Sequence, residues 1–460
     1  MLPNKIRKLY LPNYQQFQRC VVDFTDRDGR AADRICLIGR NGTGKSTILR
    51  ILDDLLDSTK LPAGVGVEVE CDGQRIFIAA IPSTSGPSHP PNIEAWDMTT
   101  HHLESAALLE CESLPAMVGH VQRAGATRVQ WPSQVPADAA VELLVYSPAE
   151  PERTERPGVD ASGHPKTTLD EALRLFTPPV PYRQQISNDR VKEMWSVLVY
   201  LANRREGDRR TFENLATNLQ KTKAQLLAEF DAQNPPVLDA LGKLWNRILE
   251  PAGLELDVEG AKLPIQLREN LEAHIRVRGS KQRIDYNRLS TGIRNFLFRI
   301  GHLFLLYFNR PVERGFVLID EPENSLFPDF LFELMSVYEE ILRDKSGATH
   351  TQLFMATHSP IVAAQFEPHE RVVLEWNDEA HVTASKGSAP KGDDPNDVLR
   401  RDFHLPELMG PEGVKSWHEY LDLRKQVRRA SEGDKPALIA RALAIAGRYG
   451  FEPPSEPAPR

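Results

Sequence analysis

The sequence predicts an α/β fold organised around a parallel sheet, and three observations predict it. The apolar run Arg34–Ile38 passes through a glycine-rich turn into a segment whose Ile48, Leu49, Ile51, Leu52, Leu55 and Leu56 share one broad helical face. A second apolar run, Phe316–Ile319, ends abruptly in Asp320 and Glu321. The later part of the chain alternates between helical and extended patterns. A helix over Ile293–Phe308 leads to a strand at Phe316–Asp320, a helix opening at Pro328, and strands at Gln352–Ala356 and Arg371–Glu375. Such alternation belongs to parallel strands joined by helices.

The remaining elements follow in order. Residues 5–24 read as a short strand, a turn at Pro12-Asn13-Tyr14, and a second strand at Cys20–Phe24. Val65, Val67, Val69 and Cys71 alternate with Gly and Glu, Asp72-Gly73 is a hairpin signal, and Arg75–Ile81 is the partner strand, so an antiparallel β subdomain is expected. From Pro82 to about Pro181 the text is rich in Pro and Ser, with one helix candidate at His101–Cys111 and one strand at Val141–Tyr146. Residues 188–249 are helical and amphipathic, broken at Pro235-Pro236. Strands return at Leu254–Val258 and His274–Arg278, and the stretch after Asp394 is helical, with Trp417, Tyr420 and Leu421 facing one way. The expected organisation is a lobe over residues 1–81, a loop-rich insertion over 82–187, a helical subdomain over 188–253, the second part of the lobe over 254–376, and a helical C-terminal region with a disordered tail over 377–460.

Composition bounds the function classes. The 460 residues suffice for two or three domains, and a net charge of −8 gives no general attraction to nucleic acid. Cys20, Cys36, Cys71 and Cys111 match no zinc spacing and read as buried thiols of a cytosolic protein. No signal peptide opens the chain, and its longest apolar stretch, near Ile300–Phe308, is interrupted by Gly301 and His302. A cytoplasmic location without membrane contact is expected. His89, His101 and His102 lack acidic or Cys partners at ligand spacing.

Four segments carry chemistry. Gly39-Arg-Asn-Gly-Thr-Gly-Lys-Ser-Thr47 is a complete P-loop between a strand and a helix. Its glycines let backbone N–H groups turn inward around an anion, and the helix adds its positive end. Gly39, Asn41, Gly42, Thr43, Gly44, Lys45, Ser46 and Thr47 are the candidate ATP-binding residues, with Lys45 reaching the β- and γ-phosphates and Ser46 placing its hydroxyl on Mg²⁺. Phe316–Glu321 puts Asp320 and Glu321 at the carboxyl end of a buried strand, where α/β sheets bind ligands. There Asp320 would hold Mg²⁺ and Glu321 would polarise the attacking water. Leu289-Ser-Thr-Gly-Ile-Arg-Asn295 opens a helix; Ser290 and Gly292 fit an anion site, and Ser290 or Thr291 equally fits a plain N-cap. Thr357-His-Ser-Pro360 places His358 at a strand end, within reach of a γ-phosphate or simply exposed.

In that order the four segments resemble the ATP-binding-cassette ATPases, over roughly residues 1–81 and 270–375. Gly39–Thr47 stands as Walker A, Leu289–Asn295 as the signature, Phe316–Glu321 as Walker B and His358 as the switch histidine. Within that group the opening strands resemble the soluble branch, with the chromosome-maintenance, recombination and overcoming-lysogenization-defect (OLD) type proteins. Asp320-Glu-Pro-Glu-Asn-Ser-Leu-Phe-Pro328 with Thr357-His-Ser-Pro360 resembles the ATPases of bacterial anti-phage systems of the Septu, Gabija and PARIS types. The resemblance implies a P-loop NTPase fold of cassette type and ATP hydrolysis with Lys45, Glu321 and His358 as catalytic residues. It also implies a homodimer or higher homo-oligomer in which Ser290 and Gly292 of one copy close over ATP on the other. Asn324, Ser325 and Leu326 would form the loop crossing the interface.

The sequence departs from that family's pattern in two places. The signature is Leu-Ser-Thr-Gly-Ile rather than Leu-Ser-Gly-Gly-Gln, and the loop glutamine has only Gln184 and Gln185 as candidates. The helical part is about 60 residues, or ~90 Å of helix in total, too short for long coiled-coil arms. Arg204-Arg205 and Arg209-Arg210 are candidate phosphate-backbone contacts or a solvated helix face. Asp393, Asp394 and Glu407 form no nuclease pattern. The leading expectation is an ATPase subunit of an anti-phage system that controls a separate effector, a nuclease. The alternatives are a DNA-repair ATPase that binds nucleic acid and a nucleotide-gated scaffold with little turnover.

Overall fold

Two patterns of strand pairing meet in one sheet, and their junction sets the position of the P-loop. The computed structural model describes residues 3–58, 61–83, 89–100, 110–131, 143–149, 173, 182–185, 191–215, 221–234, 236–257, 275–280, 282–284, 288–308, 312, 314–344, 346–392, 394–405, 409–431, 433–449 and 451. They fall into two units, Met1–Asp393 and Asp394–Arg460.

The first unit opens with β1 (Lys5–Tyr14), β2 (Phe17–Asp23) and β3 (Arg34–Gly39), then α1 (Lys45–Ser58). Next come β4 (Gly66–Cys71), β5 (Gln74–Ile81), β6 (Asn92–Asp97), α2 (Leu114–Arg123), β7 (Thr127–Val129), β8 (Leu143–Ser147) and β9 (Tyr182–Gln185). Three helices follow, α3 (Val191–Glu213), α4 (Lys223–Gln233) and α5 (Val237–Leu249), then the short strands β10 (Leu254–Leu256), β11 (Ile275–Val277) and β12 (Arg283–Ile284). The unit ends with α6 (Thr291–Phe308), β13 (Gly315–Asp320), α7 (Pro328–Leu342), β14 (Thr351–Ala356), α8 (Pro360–Ala363), β15 (Arg371–Trp376) and β16 (Val382–Lys386).

Thirteen strands form one sheet in the order β7-β6-β5-β4-β1-β2-β16-β15-β3-β14-β13-β8-β9. From β15 to β9 every pairing is parallel, as the alternating pattern predicts. From β7 to β2 every pairing is antiparallel. The β4–β5 hairpin turns at Asp72-Gly73, both at positive φ (48° and 82°), the two-residue turn that dipeptide favours. The Leu and Ile face of α1 packs on β3, β13 and β14, burying Leu49, Leu52, Leu37, Leu318 and Phe354 in one core. A second core lies under α2, where Met117, Val118 and Val121 meet Tyr10, Phe77 and Trp96.

Some elements differ from the sequence reading. The first turn lies at Gln15-Gln16 rather than at Pro12-Asn13-Tyr14, and β1 runs through Pro12. Pro12 lies beyond the last β1–β4 pair, Tyr10 with Gly66, and opposite Arg19, which has a φ of 47°. Its missing N–H therefore leaves no ladder bond unmade. Residues 92–129 contribute β6, β7 and α2 beneath the Pro- and Ser-rich text. The helix candidate His101–Cys111 lies, except for Glu110 and Cys111, outside the described residues.

The helices after β9 gather on α6. α3 and α5 both contact it, α7 contacts α5 and α6, and a Cβ at Gly301 would press on Met194 Sδ and Trp245. Arg247 of α5 ties down α7 by donating to Glu333 (Nε, 3.1 Å) and Glu340 (3.0 Å). The helix that begins at the signature segment is thus held by the helical subdomain.

The second unit contains α9 (Pro395–Arg401), α10 (Pro411–Arg429) and α11 (Lys435–Tyr449). α10 and α11 bury Tyr420, Leu423, Ala442 and Ala446, with Trp417 and Phe451 ring to ring at 5.0 Å. Leu423, three residues from Tyr420, fills the position expected of Leu421, because helical spacing turns the adjacent residue away. Among the described residues no helix is long and apolar enough to cross a membrane.

Candidate functional site

Register alone brings three of the four segments together. β3, β14 and β13 are parallel neighbours, with Leu37 aligned to Ala356 and Ala356 to Asp320. All three therefore leave the sheet at one level. The Thr357 N–H donates to the Leu37 carbonyl (3.0 Å) and the Glu321 N–H to the Ala356 carbonyl (2.9 Å), so the chains remain tied just past the strand ends. The P-loop, His358 and Glu321 emerge side by side at the carboxyl edge, where α/β sheets place their ligands.

The P-loop turns tightly after β3. Gly42 and Gly44 have φ of 82° and 94°, and the Thr43 hydroxyl closes the turn on the Arg40 carbonyl (2.8 Å). Only glycine serves at 44, since a Cβ would strike Phe17 (Cζ at 2.5 Å) and Gln16 from the β1–β2 turn above. Asn41 and Gly42 are exposed, Thr43 is buried, and Ser46 and Thr47 are half-buried in the first turn of α1. The Lys45 ammonium donates to the carbonyls of Gly39 (2.9 Å) and Arg40 (3.1 Å). Burial pulls its pKa down to about 8, against the pull of Asp320, Glu321 and Glu323.

Three carboxylates face this loop. Asp320 is buried and accepts from the Ser46 hydroxyl, while its Oδ1 finds no protein donor. Burial raises its pKa, the Ser46 bond lowers it, and the neighbouring Glu321 raises it further. A hydroxyl and a carboxylate with a spare buried oxygen form a hard oxygen set that suits Mg²⁺. Glu321 sits at a φ of 46°, a strained position for a non-glycine residue. Its Oε1 is 3.7 Å from His358 Nε2. Burial, then Lys45, lowers the His358 pKa, which leaves the imidazole neutral near pH 7.

The signature lies across the Walker B turn. Gly292 is buried, and a Cβ there would overlap the Ser325 carbonyl of the same chain. Ser290 is exposed and its hydroxyl accepts from the Ile293 N–H (3.3 Å), so it caps α6. Ser325 is exposed at a φ of 62°, and Phe327 and Phe332 are 64% and 58% exposed beside it.

Three further residues belong to the site by position. Glu323 accepts from the His358 N–H (2.6 Å). Arg299 of α6 is buried and donates to the Glu321 carbonyl (3.3 Å) and the Pro148 carbonyl (2.7 Å). Tyr146, at the end of β8, is pushed up to about 12 by burial and then by Asp320. The second Glu of Asp-Glu-Pro-Glu was the available signal for Glu323. Arg299 and Tyr146 lie in ordinary apolar runs that carry none.

Other sequence candidates fall elsewhere. Gln184 and Gln185 lie in β9 itself, paired with Val145 and Tyr146, rather than in a loop. The arginine doublets of α3 are engaged with acids of α3 and α4: Arg204 with Asp208, Arg209 with Glu206 and Glu213, and Arg210 with Glu206 on the same helix, and Arg205 with Asp231 of α4. They form a solvated, paired face. Asp394 caps α9, accepting from the Asn396 N–H (2.8 Å). His101, His102, Asp393 and Glu407 lie outside the described residues. The four cysteines form no disulfide, and Cys20, Cys36 and Cys71 are buried.

Comparison with known proteins places this geometry. No curated protein matches the chain. Among solved structures it is similar to the SMC head domain from Thermotoga maritima, at 15% identity and a TM-score of 0.37, over 84% of this chain and 100% of that one. The profile of the AAA ATPase domain matches residues 5–87 and 167–363, which include the P-loop, the signature, the Walker B strand and His358. With more than half of its length matched, the chain belongs to the AAA ATPase domain family.

Proposed function

We propose that this protein binds Mg-ATP at the P-loop and hydrolyses it, and that two copies close around the nucleotide. One observation carries the reading: Lys45, Ser46, Asp320, Glu321 and His358, from three distant segments, converge at one edge of the sheet. The P-loop amides and Lys45 bind the phosphates. Ser46 and Asp320 hold Mg²⁺, which when bound neutralises phosphate charge. Glu321 orients the attacking water and accepts its proton. His358, neutral and beside Glu321, is placed to donate to or accept from the same water or the γ-phosphate.

Dimerisation is supported by what one chain leaves exposed. The Gly292–Ser325 contact brings the exposed Ser290 and Ser325 segments together, and Phe327, two residues after Ser325, and Phe332 in α7 are exposed apolar side chains. In a head-to-tail pair, the exposed Ser290 of one copy covers the ATP of the other, and the buried Gly292 seats the Ser325 turn behind it. Such a protein uses ATP as an assembly switch. We place it in the cytoplasm as the sensor or regulatory subunit of an anti-phage system that controls a separate nuclease. The motif dialect of Asp320–Pro328 and Thr357–Pro360 supports that role. Phage sensitivity unchanged by loss of the gene would argue against it.

A second reading has an observation of its own. The Ser290 hydroxyl is occupied as a cap, and Thr291 and Ile293 stand where the usual signature has Gly and Gln. That favours a nucleotide-gated scaffold with slow turnover. A DNA-repair role ranks below it, because the arginine doublets are paired with acids. Phosphate release separates the first two readings. Hydrolysis by the wild type well above a Lys45→Ala control supports the ATPase. Equal rates, with tight nucleotide binding by the wild type, support the scaffold.

A further inference from the structure

Glu323 stands in the Walker B turn without a task in the chemistry above. Its Oε1 accepts the His358 backbone N–H at 2.6 Å. Its carboxylate also takes the Thr357 hydroxyl hydrogen bond, and that hydroxyl in turn accepts from the Ser359 N–H (3.0 Å). Thr357 is fully buried and anchored to β3 through the Leu37 carbonyl. One carboxylate thus collects the backbone of the whole switch loop, residues 357–359, onto the turn after β13. The turn itself is tight: the Asn324 N–H donates to the Glu321 carbonyl and the Leu326 N–H to the Glu323 carbonyl.

The other oxygen, Oε2, is buried and finds no protein donor. An unsatisfied buried carboxylate oxygen costs stability, so its retention calls for an explanation beyond packing. The geometry supplies one. Glu321 and Glu323 leave the same turn in opposite duties, one side chain facing His358 Nε2 at 3.7 Å and the other holding the His358 backbone. Glu323 thus ties the His358 backbone to the turn from which Glu321 projects.

We propose that Glu323 is a positioning residue that clamps the switch loop to the Walker B turn and fixes His358 against Glu321 for hydrolysis. This rests on the ATPase reading, and the experiment separates the two. Full-length wild type, Lys45→Ala, Glu323→Ala and Glu323→Gln are compared in amide hydrogen exchange at residues 357–359 and in steady-state hydrolysis of Mg-ATP. Glu323→Gln keeps a carbonyl oxygen at the Oε1 position, whereas Glu323→Ala removes the acceptor. Glu323→Ala is expected to speed exchange at His358 and lower kcat about 10- to 100-fold, the scale of a lost charged hydrogen bond and a misplaced catalytic group. KM should stay within about threefold, because the phosphate contacts of the P-loop are untouched. Glu323→Gln should restore kcat to within several-fold of wild type. Unchanged exchange or unchanged kcat in Glu323→Ala overturns the proposal, and so does a Gln variant as impaired as the Ala variant. Should Glu323→Ala fail to fold, Thr357→Val removes the hydroxyl that links the carboxylate to the Ser359 N–H and leaves the His358 N–H bond in place; it should lower kcat several-fold at unchanged KM, and no change overturns the clamp. A wild type no faster than Lys45→Ala overturns the ATPase reading instead, and exchange at His358 then still upholds or overturns the clamp.

Discussion

Lys45 has its ammonium bonded to the P-loop carbonyls of Gly39 and Arg40 and its pKa drawn down to about 8 by burial. Bound phosphates would raise that value again, since an adjacent negative charge favours the protonated amine. Binding should therefore take up a proton when the free lysine is partly neutral. Affinity for Mg-ATP should be nearly constant well below pH 8 and fall by up to about tenfold per unit above it. Calorimetry at pH 8.5 in two buffers of different ionisation enthalpy reads the uptake directly. No buffer dependence would show that Lys45 is already charged, or that it does not meet the phosphates. At this scale the P-loop and Asp320-Glu321 are legible in the sequence because each is a local motif. Glu323 is marked by the second Glu of Asp-Glu-Pro-Glu, but its partners are not, because Thr357 and His358 are 34 and 35 residues away in the chain and meet it only through the β13–β14 register.

The helix-opening segment Leu289–Asn295 and the turn Asn324–Leu326 act as one element. A Cβ at Gly292 overlaps the Ser325 carbonyl, so Gly292→Ala must push the two apart. Overpacking of this kind costs about 1–3 kcal/mol. The variant should unfold at lower temperature and lose most ATP-driven assembly while keeping nucleotide affinity, since the P-loop lies on other elements. Wild-type melting and assembly would show that the contact is looser than drawn. In the antiparallel region, buried Glu68 accepts from Arg7 (2.7 Å), Arg75 (3.1 Å) and Tyr10 (3.1 Å). Burial opposes its charge, yet the arginines hold its pKa below the usual carboxylate range. Its stabilisation is thus present above the ordinary Glu pKa and lost as pH falls through the lowered one. Glu68→Ala strands two cations and should cost about 3–5 kcal/mol, read by chemical denaturation. None of this network is visible in the alternating Val65–Cys71 pattern, which shows only that one face is apolar. Likewise β6 and β7 escape a periodicity reading because Pro, Ser and His surround short strands. Their place is fixed by pairing with β5.

For the whole molecule, the parallel strands β3, β13, β14 and β15 were legible because each carries an apolar run and helical segments separate them, whereas the edge strand β9, Tyr-Arg-Gln-Gln, has no such run and was not. The joining of both halves into one thirteen-stranded sheet was not, since it depends on β16, a half-polar strand that bridges β15 and β2. That joining lets the β1–β2 turn, with Gln16 and Phe17, roof the P-loop. The same view shows what one chain presents to another: an exposed Ser290, an exposed Ser325, and Phe327 and Phe332 beside them. If this chain holds half of an ATP site, ATP should join two copies once hydrolysis is blocked. Sedimentation velocity of the Glu321→Gln variant with and without Mg-ATP tests this most directly. The account predicts a monomer, or smaller assembly, that doubles in mass with Mg-ATP and does not when Lys45→Ala is added. A Glu321→Gln protein whose mass is the same with saturating Mg-ATP as without it would contradict the account.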